Sequence, residues 1–236
     1  FNTVLYTGNA TDNRTVTGVG FKPDWLWIKN RNDTEQHRLQ DVVRGATKNI
    51  KSSGNGAEET TSTTVKSFNS DGFTLGTDNA VNGNNDGMAS WNWKAGTSFS
   101  NSAGANGASI ASTGSINTAA GFSIIKYQGT GSNATVAHGL GAVPKMIIFK
   151  SLANAVSWIV YSSELNISSS NCLRLNGTNA AFTESAWNDT RPTASVFSLG
   201  SHNEANNNSG ETIAYCFAEK QGYSKFGSYI GNGNAN

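Results

Sequence analysis

The sequence predicts an all-β protein of two tandem antiparallel β-sandwich modules of the jelly-roll kind, and three observations lead there. Residues 1–29 align with 122–150 without a gap, at a constant offset of 121 residues. Short runs such as Trp25-Leu-Trp-Ile-Lys29 and Lys145-Met-Ile-Ile-Phe-Lys150 are apolar on both alternating faces, as central strands covered on each side are. Between such runs stand turn signals (Asn55-Gly56, Asp71-Gly72, Asn84-Asn85-Asp86-Gly87, Asn176-Gly177) at the short spacing of sandwiches.

The repeat carries the domain reading. Phe1 falls on Phe122, Tyr6 on Tyr127, Gly8 on Gly129, Pro23 on Pro144 and Lys29 on Lys150. Further on, the offset grows to 124 and Phe73-Thr-Leu-Gly76 falls on Phe197-Ser-Leu-Gly200, with Trp91-Asn-Trp93 on Tyr215-Cys-Phe217. A slip of three residues over such a length marks one module copied in tandem, residues 1–121 and 122–236. The last ten or so residues start the pattern again: Tyr229-Ile-Gly231-Asn232 echoes Tyr6-Thr-Gly8-Asn9. The chain therefore reads as a piece of a longer array.

Strands are expected at 3–6, 25–29, 65–68, 73–75, 88–93, 123–127, 145–150, 158–161, 172–175, 196–199 and 212–217. Pro23 and Pro144 sit just ahead of two of them, where a missing backbone donor does least harm. No stretch keeps a 3.6-residue period, and 36–44 offers at most one helical turn. The Gly-, Ala-, Ser- and Asn-rich segment 95–118 reads as a flexible linker or a loose surface excursion. Residues 122–129 could complete the first sheet while starting the second unit.

Charged residues make up 14% of the chain and the formal net charge is +1, which leaves no basic footprint for nucleic acid. No apolar run is long enough to span a bilayer, so membrane insertion is not expected. Aromatics at 10%, clustered in runs, argue for a folded chain. Cys172 and Cys216, a lone pair in a chain of this size, are expected as free buried thiols.

Chemistry is sparse. There is no phosphate loop and no nucleophile elbow, and His37, His138 and His202 stand far apart from one another and from the cysteines. Asp24, Asp41, Asp71 and Asp86 fall on Lys145, Ser162, Ser195 and Gly210 in the second copy, so no carboxylate pair is shared between copies. An enzyme is not expected, and no catalytic residue is named. No cofactor is expected either; calcium is the one cation left open, on the oxygens of Asp78, Asn82, Asn84, Asn85 and Asp86, whose order fits no EF-hand.

The tryptophans divide in two. Trp25, Trp27, Trp91 and Trp93 have Met146, Ile148, Tyr215 and Phe217 as counterparts, keeping apolarity but not ring shape, which is how core positions behave. Trp187 lies in the polar stretch 183–192 with Arg191 nearby, and the Asn-rich loop from His202 falls at the same end of the sandwich. Trp187, Arg191 and His202 are therefore the candidate surface contacts.

Gly18-Val-Gly-Phe-Lys-Pro-Asp-Trp-Leu-Trp-Ile-Lys-Asn-Arg31, His37-Arg-Leu-Gln-Asp-Val-Val-Arg-Gly45, Trp91-Asn-Trp-Lys-Ala-Gly96, His138-Gly-Leu-Gly-Ala-Val-Pro-Lys-Met-Ile-Ile148 and Gly222-Tyr-Ser-Lys-Phe-Gly-Ser-Tyr229 resemble a repeat of marine bacteriophage tail-fibre and virion structural proteins. The resemblance implies a concanavalin-like or related β-sandwich on a virion appendage, extracellular, and carries over no ligand residues. Expected partners are neighbouring repeats or subunits of one fibre in a homo-oligomer, and a host surface glycan. The alternatives are a purely structural repeat of a virion or bacterial filament and, further off, a polysaccharide-degrading enzyme.

Overall fold

A computed structural model describes residues 1–165 and 171–233. Nineteen strands and two single helical turns follow one another along the described residues. They are β1 Asn2–Thr7, β2 Arg14–Thr17, β3 Trp25–Asn30, β4 Arg38–Asp41, β5 Lys48–Asn49, β6 Glu59–Thr60, β7 Val65–Asn69, β8 Gly72–Leu75, α1 Asn79–Asn82, β9 Gly87–Trp93, β10 Thr97–Asn101, β11 Ser112–Asn117, β12 Phe122–Gln128, β13 Ala134–Ala137, β14 Met146–Ser151, β15 Ile159–Ser162, β16 Asn171–Arg174, β17 Phe182–Thr183, β18 Val196–Leu199, α2 Asn203–Asn206 and β19 Glu211–Phe217. The chain is all-β, and the paired strands in its several sheets run antiparallel.

Four sheets stack as layers. The sheet β2-β8-β7 covers the sheet β1-β9-β3-β4; that in turn meets the eight-stranded sheet β10-β11-β12-β19-β14-β15-β16-β17, whose far side is covered by β13-β18. The two-residue side-chain period of β3 serves two cores at once. Leu26 and Ile28 meet Val16, Phe73 and Leu75 on one side, while Trp25 meets Phe122, Ile124 and Tyr215 on the other. Strand β14 does the same with Ile147 and Phe149 on one face and Ile148 on the other. Both thus contribute to two cores, β14 with each face and β3 with the Leu26–Ile28 face and, at Trp25, the other.

Repeated residues do repeated work. Tyr6 donates its hydroxyl to Val81 O at 2.8 Å, and Tyr127 donates to Ala205 O at 2.6 Å. The buried side chains of Asn82 and Asn206 each tie their helical turn to the loop after the first strand of the unit. Gly8 and Gly129 let that loop approach: a Cβ there would stand 1.9 Å from Gly83 O and 2.3 Å from Asn207 O.

Three expectations change. Segment 95–118 is not a linker, because β10 and β11 form a hairpin and β11 pairs along the whole edge of β12. Polar side chains hid it: an edge hairpin needs backbone pairing more than an apolar face. Residues 122–128 do not complete the first sheet, since β12 lies between β11 and β19. Residues 38–41 form strand β4, and only the turn after it coils. Of the stretch read as a third unit, residues 234–236 lie outside the described residues; Tyr229 and Ile230 are 93% and 97% exposed.

Cys172 and Cys216 are free and buried, and burial pushes both thiols up to about 12. His138 is fully buried, its Nδ1 accepting from Leu140 N at 3.3 Å, so the proton sits on Nε2 facing Thr193 O. Burial lowers its pKa from 6.5 to about 4. The native state thus holds His138 neutral while the unfolded chain takes up a proton as pH falls below 6.5. Stability from this group is complete above that pH and is lost toward pH 4, by about 2–3 kcal/mol at pH 4.5. Urea unfolding at pH 7 and 4.5 should show this extra loss in the wild type and not in His138→Gln.

Candidate functional site

The three residues singled out from the sequence do not form a surface site. Trp187 is 2% exposed, its indole donating to Asn171 O at 3.0 Å and packing against Phe149 and Tyr161 with ring centres 5.0 and 6.0 Å away. A ring so placed meets a ligand only if the core opens, so the surface-contact reading of Trp187 is corrected to core packing. Its polar neighbours in 183–192 concealed this, because the loop turns the one large side chain inward. Arg191 is exposed and lies near Tyr161, where burial raises the hydroxyl's pKa and the Arg191 charge opposes the rise. His202 is half-buried between Glu184 at 3.8 Å and Glu204 at 4.0 Å, away from solvent-facing aromatics.

The aromatic surface lies instead on the first sheet. Strands β3 and β9 pair with Trp25 opposite Trp93 and Trp27 opposite Trp91, so the alternation of side chains puts four indoles on one face. Phe1 and the outward residues Thr3 and Leu5 of β1 extend that face, Thr3 lying opposite Trp91. Trp25 is covered: it stacks on Tyr215 at 4.2 Å and 14° and on Phe122 at 5.7 Å and 17°. Trp27, Trp91 and Trp93 are only half-buried, while Phe1 and Leu5 are 51% and 64% exposed.

With His37, the three half-buried indoles line an open apolar groove of about 250 Å³. Trp27 donates its indole N–H to His37 Nδ1 at 2.7 Å, and the His37 ring stands edge-on to it at 78°. The bond fixes both rings and leaves Nε2 as the donor of the imidazole. Burial, then the charge of Lys29, lowers the pKa of His37 and keeps it neutral. Lys29 Nζ is spent on Asp33 O and Glu35 O, both at 2.8 Å, which braces the loop carrying His37. Trp93 also borders a second apolar cavity of about 230 Å³ with Phe1, Phe122, Phe217 and Tyr223. The face can thus offer several flat aromatic surfaces for stacking, with a neutral donor at one side.

Reading all four tryptophans as core holds in full for Trp25 and in part for Trp27 and Trp93, which pack against that core while staying half-buried, as Trp91 does outside it. The two facing sheets meet off-centre, so Tyr215 and Ile148, counterparts of Trp91 and Trp27, are 0% and 6% exposed while the indoles are not. The signal available in the sequence was the excess of indoles in one copy, where the other holds aliphatic or smaller rings.

Of the five side chains considered for calcium, Asp78, Asn82 and Asp86 are committed to turns. Asp78 caps α1 by accepting from Ala80 N at 2.8 Å, Asn82 accepts from Asn9 N at 3.0 Å and Arg14 at 3.0 Å, and Asp86 accepts from Asn30 at 2.8 Å. Among the described residues no three His, Cys, Asp or Glu side chains are grouped to hold a metal. No helix among them is long and apolar enough to cross a membrane.

A layered all-β protein with an open indole face is the class that fold and site define. The chain belongs to the family described as a domain of unknown function, DUF7483, which matches residues 1–236. No curated protein and no solved structure matches it.

Proposed function

We propose that the chain is a non-enzymatic adhesive and structural unit of a bacteriophage tail fibre or virion appendage. In this reading it is built from two tandem sandwich modules, acts outside the cell, and holds host surface glycans on the Trp27–Trp91–Trp93 face. The observation that carries the reading is that half-exposed trio of indoles held in fixed orientation by β-sheet pairing and by His37. Sugar rings present flat C–H faces that lie on aromatic rings, and a platform on paired strands loses little entropy on binding. The element order supports the tandem reading, since β3, β4, α1 and β9 recur as β14, β15, α2 and β19 at the same offsets as the sequence repeat. Repetition along a fibre would multiply weak single contacts.

The test is a glycan array and binding to bacterial surface polysaccharide, with the chain presented multivalently. Trp27→Ala and Trp91→Ala should each weaken binding about tenfold or more, with the fold followed by circular dichroism because Trp27 also packs against the core between the sheets. A blank array, or binding indifferent to both changes, would sink the glycan reading. The extensive core shared by the two large sheets would then favour a purely structural repeat.

A further inference from the structure

Strand β3 begins at a corner that both copies build. Asp24 N donates to Trp93 O at 2.8 Å, and Asp24 O accepts from Val42 N at 2.9 Å. In the second copy Lys145 N donates to Phe217 O at 2.7 Å, and Lys145 O accepts from Ser163 N at 2.8 Å. The same corner forms around a lysine, so its backbone does not call for a carboxylate. Asp24 is nevertheless only 6% exposed. Burial raises its pKa, against the bond from Ala95 N to Oδ2 at 2.8 Å and the charges of Lys22 and Lys94. The Ala95 bond uses one lone pair of a group that accepts up to about four, so capacity is left on its open side.

That side borders a cleft of about 370 Å³ against the β10–β11 hairpin, within the roughly 300–1,000 Å³ of small-ligand sites. Ser98 and Ser115 stand opposite each other in the ladder, and Thr113 lies two residues before Ser115, so strand alternation turns all three hydroxyls to this side. Ser115 is 6% exposed, and its hydroxyl has no hydrogen-bond partner among the described residues. A buried hydroxyl left unmatched is destabilising until something bonds to it. Lys22, exposed at the rim, adds an ammonium group. The polarity that hid this hairpin from hydrophobic periodicity makes it one wall of a polar cleft.

A lone anion in the cleft meets the Asp24 carboxylate, and a lone cation meets the ammonium of Lys22. A hydroxyl both donates and accepts, and two on neighbouring ring carbons do so side by side. We propose that this cleft binds one neutral sugar unit by its adjacent hydroxyls, which donate to Asp24 and exchange bonds with Lys22, Ser98, Thr113 and Ser115. The cleft shares no residue with the groove of Trp27, Trp91 and Trp93, and it holds a sugar by its rim, where indoles take the flat face. Either site can therefore fail without the other.

Amide shifts in NMR spectra of the full chain, titrated with methyl glycosides of glucose, galactose and mannose, test it. The signals of Ser98, Thr113 and Ser115 should move with a Kd of about 1–10 mM, the strength of a single sugar held by a few hydrogen bonds. Asp24→Asn should weaken binding about tenfold or more, since a bond to a charged group is lost while the side chain still accepts from Ala95 N. Ser115→Ala should weaken it about threefold or more and spare the fold, because the hydroxyl it removes holds nothing in the free chain. Asp24→Lys, which copies the residue of the second repeat, should fold and abolish binding. No movement at the three residues up to about 50 mM glycoside overturns the proposal. So does unchanged affinity in both Asp24→Asn and Ser115→Ala, or the same shifts with sodium sulfate or methylammonium chloride alone. Movement confined to the indole signals of Trp27 and Trp91 also overturns it, and leaves the indole platform standing.

Discussion

Asp41→Ala should destabilise the protein by about 3–5 kcal/mol. Asp41 is fully buried and accepts from Val43 N, Arg44 N and the Arg44 guanidinium, and from the Tyr215 hydroxyl at 2.8 Å. The Arg44 side chain is 1% exposed and divides its remaining donors among Leu39 O, Lys48 O, Glu58 and Tyr215. Its neighbours Asp41, Tyr215 and Glu58 raise its pKa despite burial. Removing Asp41 strands that guanidinium with one partial counter-charge, Glu58, in a space water does not fill. Urea unfolding reads the loss. Asp41→Ala combined with Arg44→Met should recover some of it, because the buried charge goes too; no recovery would mean that the pair acts only through packing. Tyr215→Phe, which deletes one bond to a charged group, should cost about 1.5–3 kcal/mol.

Trp25→Ala should cost a similar amount, about 3–5 kcal/mol, through a cavity that the facing sheets cannot close. The ring is 1% exposed and sits between Trp93, Tyr215 and Phe122 with centres 4.3, 4.2 and 5.7 Å away. It is also the main side chain by which the four-stranded sheet grips the eight-stranded one. The latter keeps its own core around Phe149, Trp187 and Phe197, so unfolding of the variant should separate into two steps. A single transition shifted by under about 1 kcal/mol would show the layers to be held elsewhere. Since Trp25 and Asp41 both touch Tyr215, the double variant should lose less than the sum.

The strands legible in the sequence were those whose apolar residues answer two cores, 25–29, 145–150 and 212–217 above all. Those that escaped lie at a sheet edge or, like β11, next to one. Strand β2, Arg14–Thr17, buries Val16 alone, and β10 and β11 are almost wholly polar, so hydrophobic periodicity could not reveal them. The four-residue turns α1 and α2 are fixed by Asp78, Asn82 and Asn206 through side chain to backbone bonds, which leave no period to find. The aromatic face was missed for a different reason. Whether an apolar residue is core or surface depends on where the opposing sheet stops, and alternation along one strand says nothing about that.

The cavity bordered by Phe1, Tyr223 and Ser224 has a mechanical consequence. Tension that enters the body at Phe1 and leaves at Ser224 crosses it at one corner, over the width of a single small cavity. The folded mass then hangs beside the line of force like a pendant and does not stand in it as a link. The strand loaded first is β1, whose strand partner among the described residues is β9; drawn from its Asn2–Asn92 end, its ladder bonds break in succession toward Thr7–Gly87, together with the side-chain bonds from Asn2 to Val19 O and from Tyr6 to Val81 O. Such unzipping resists little force, and a pull should strip β1 well before it reaches the layers around Trp25 and Tyr215.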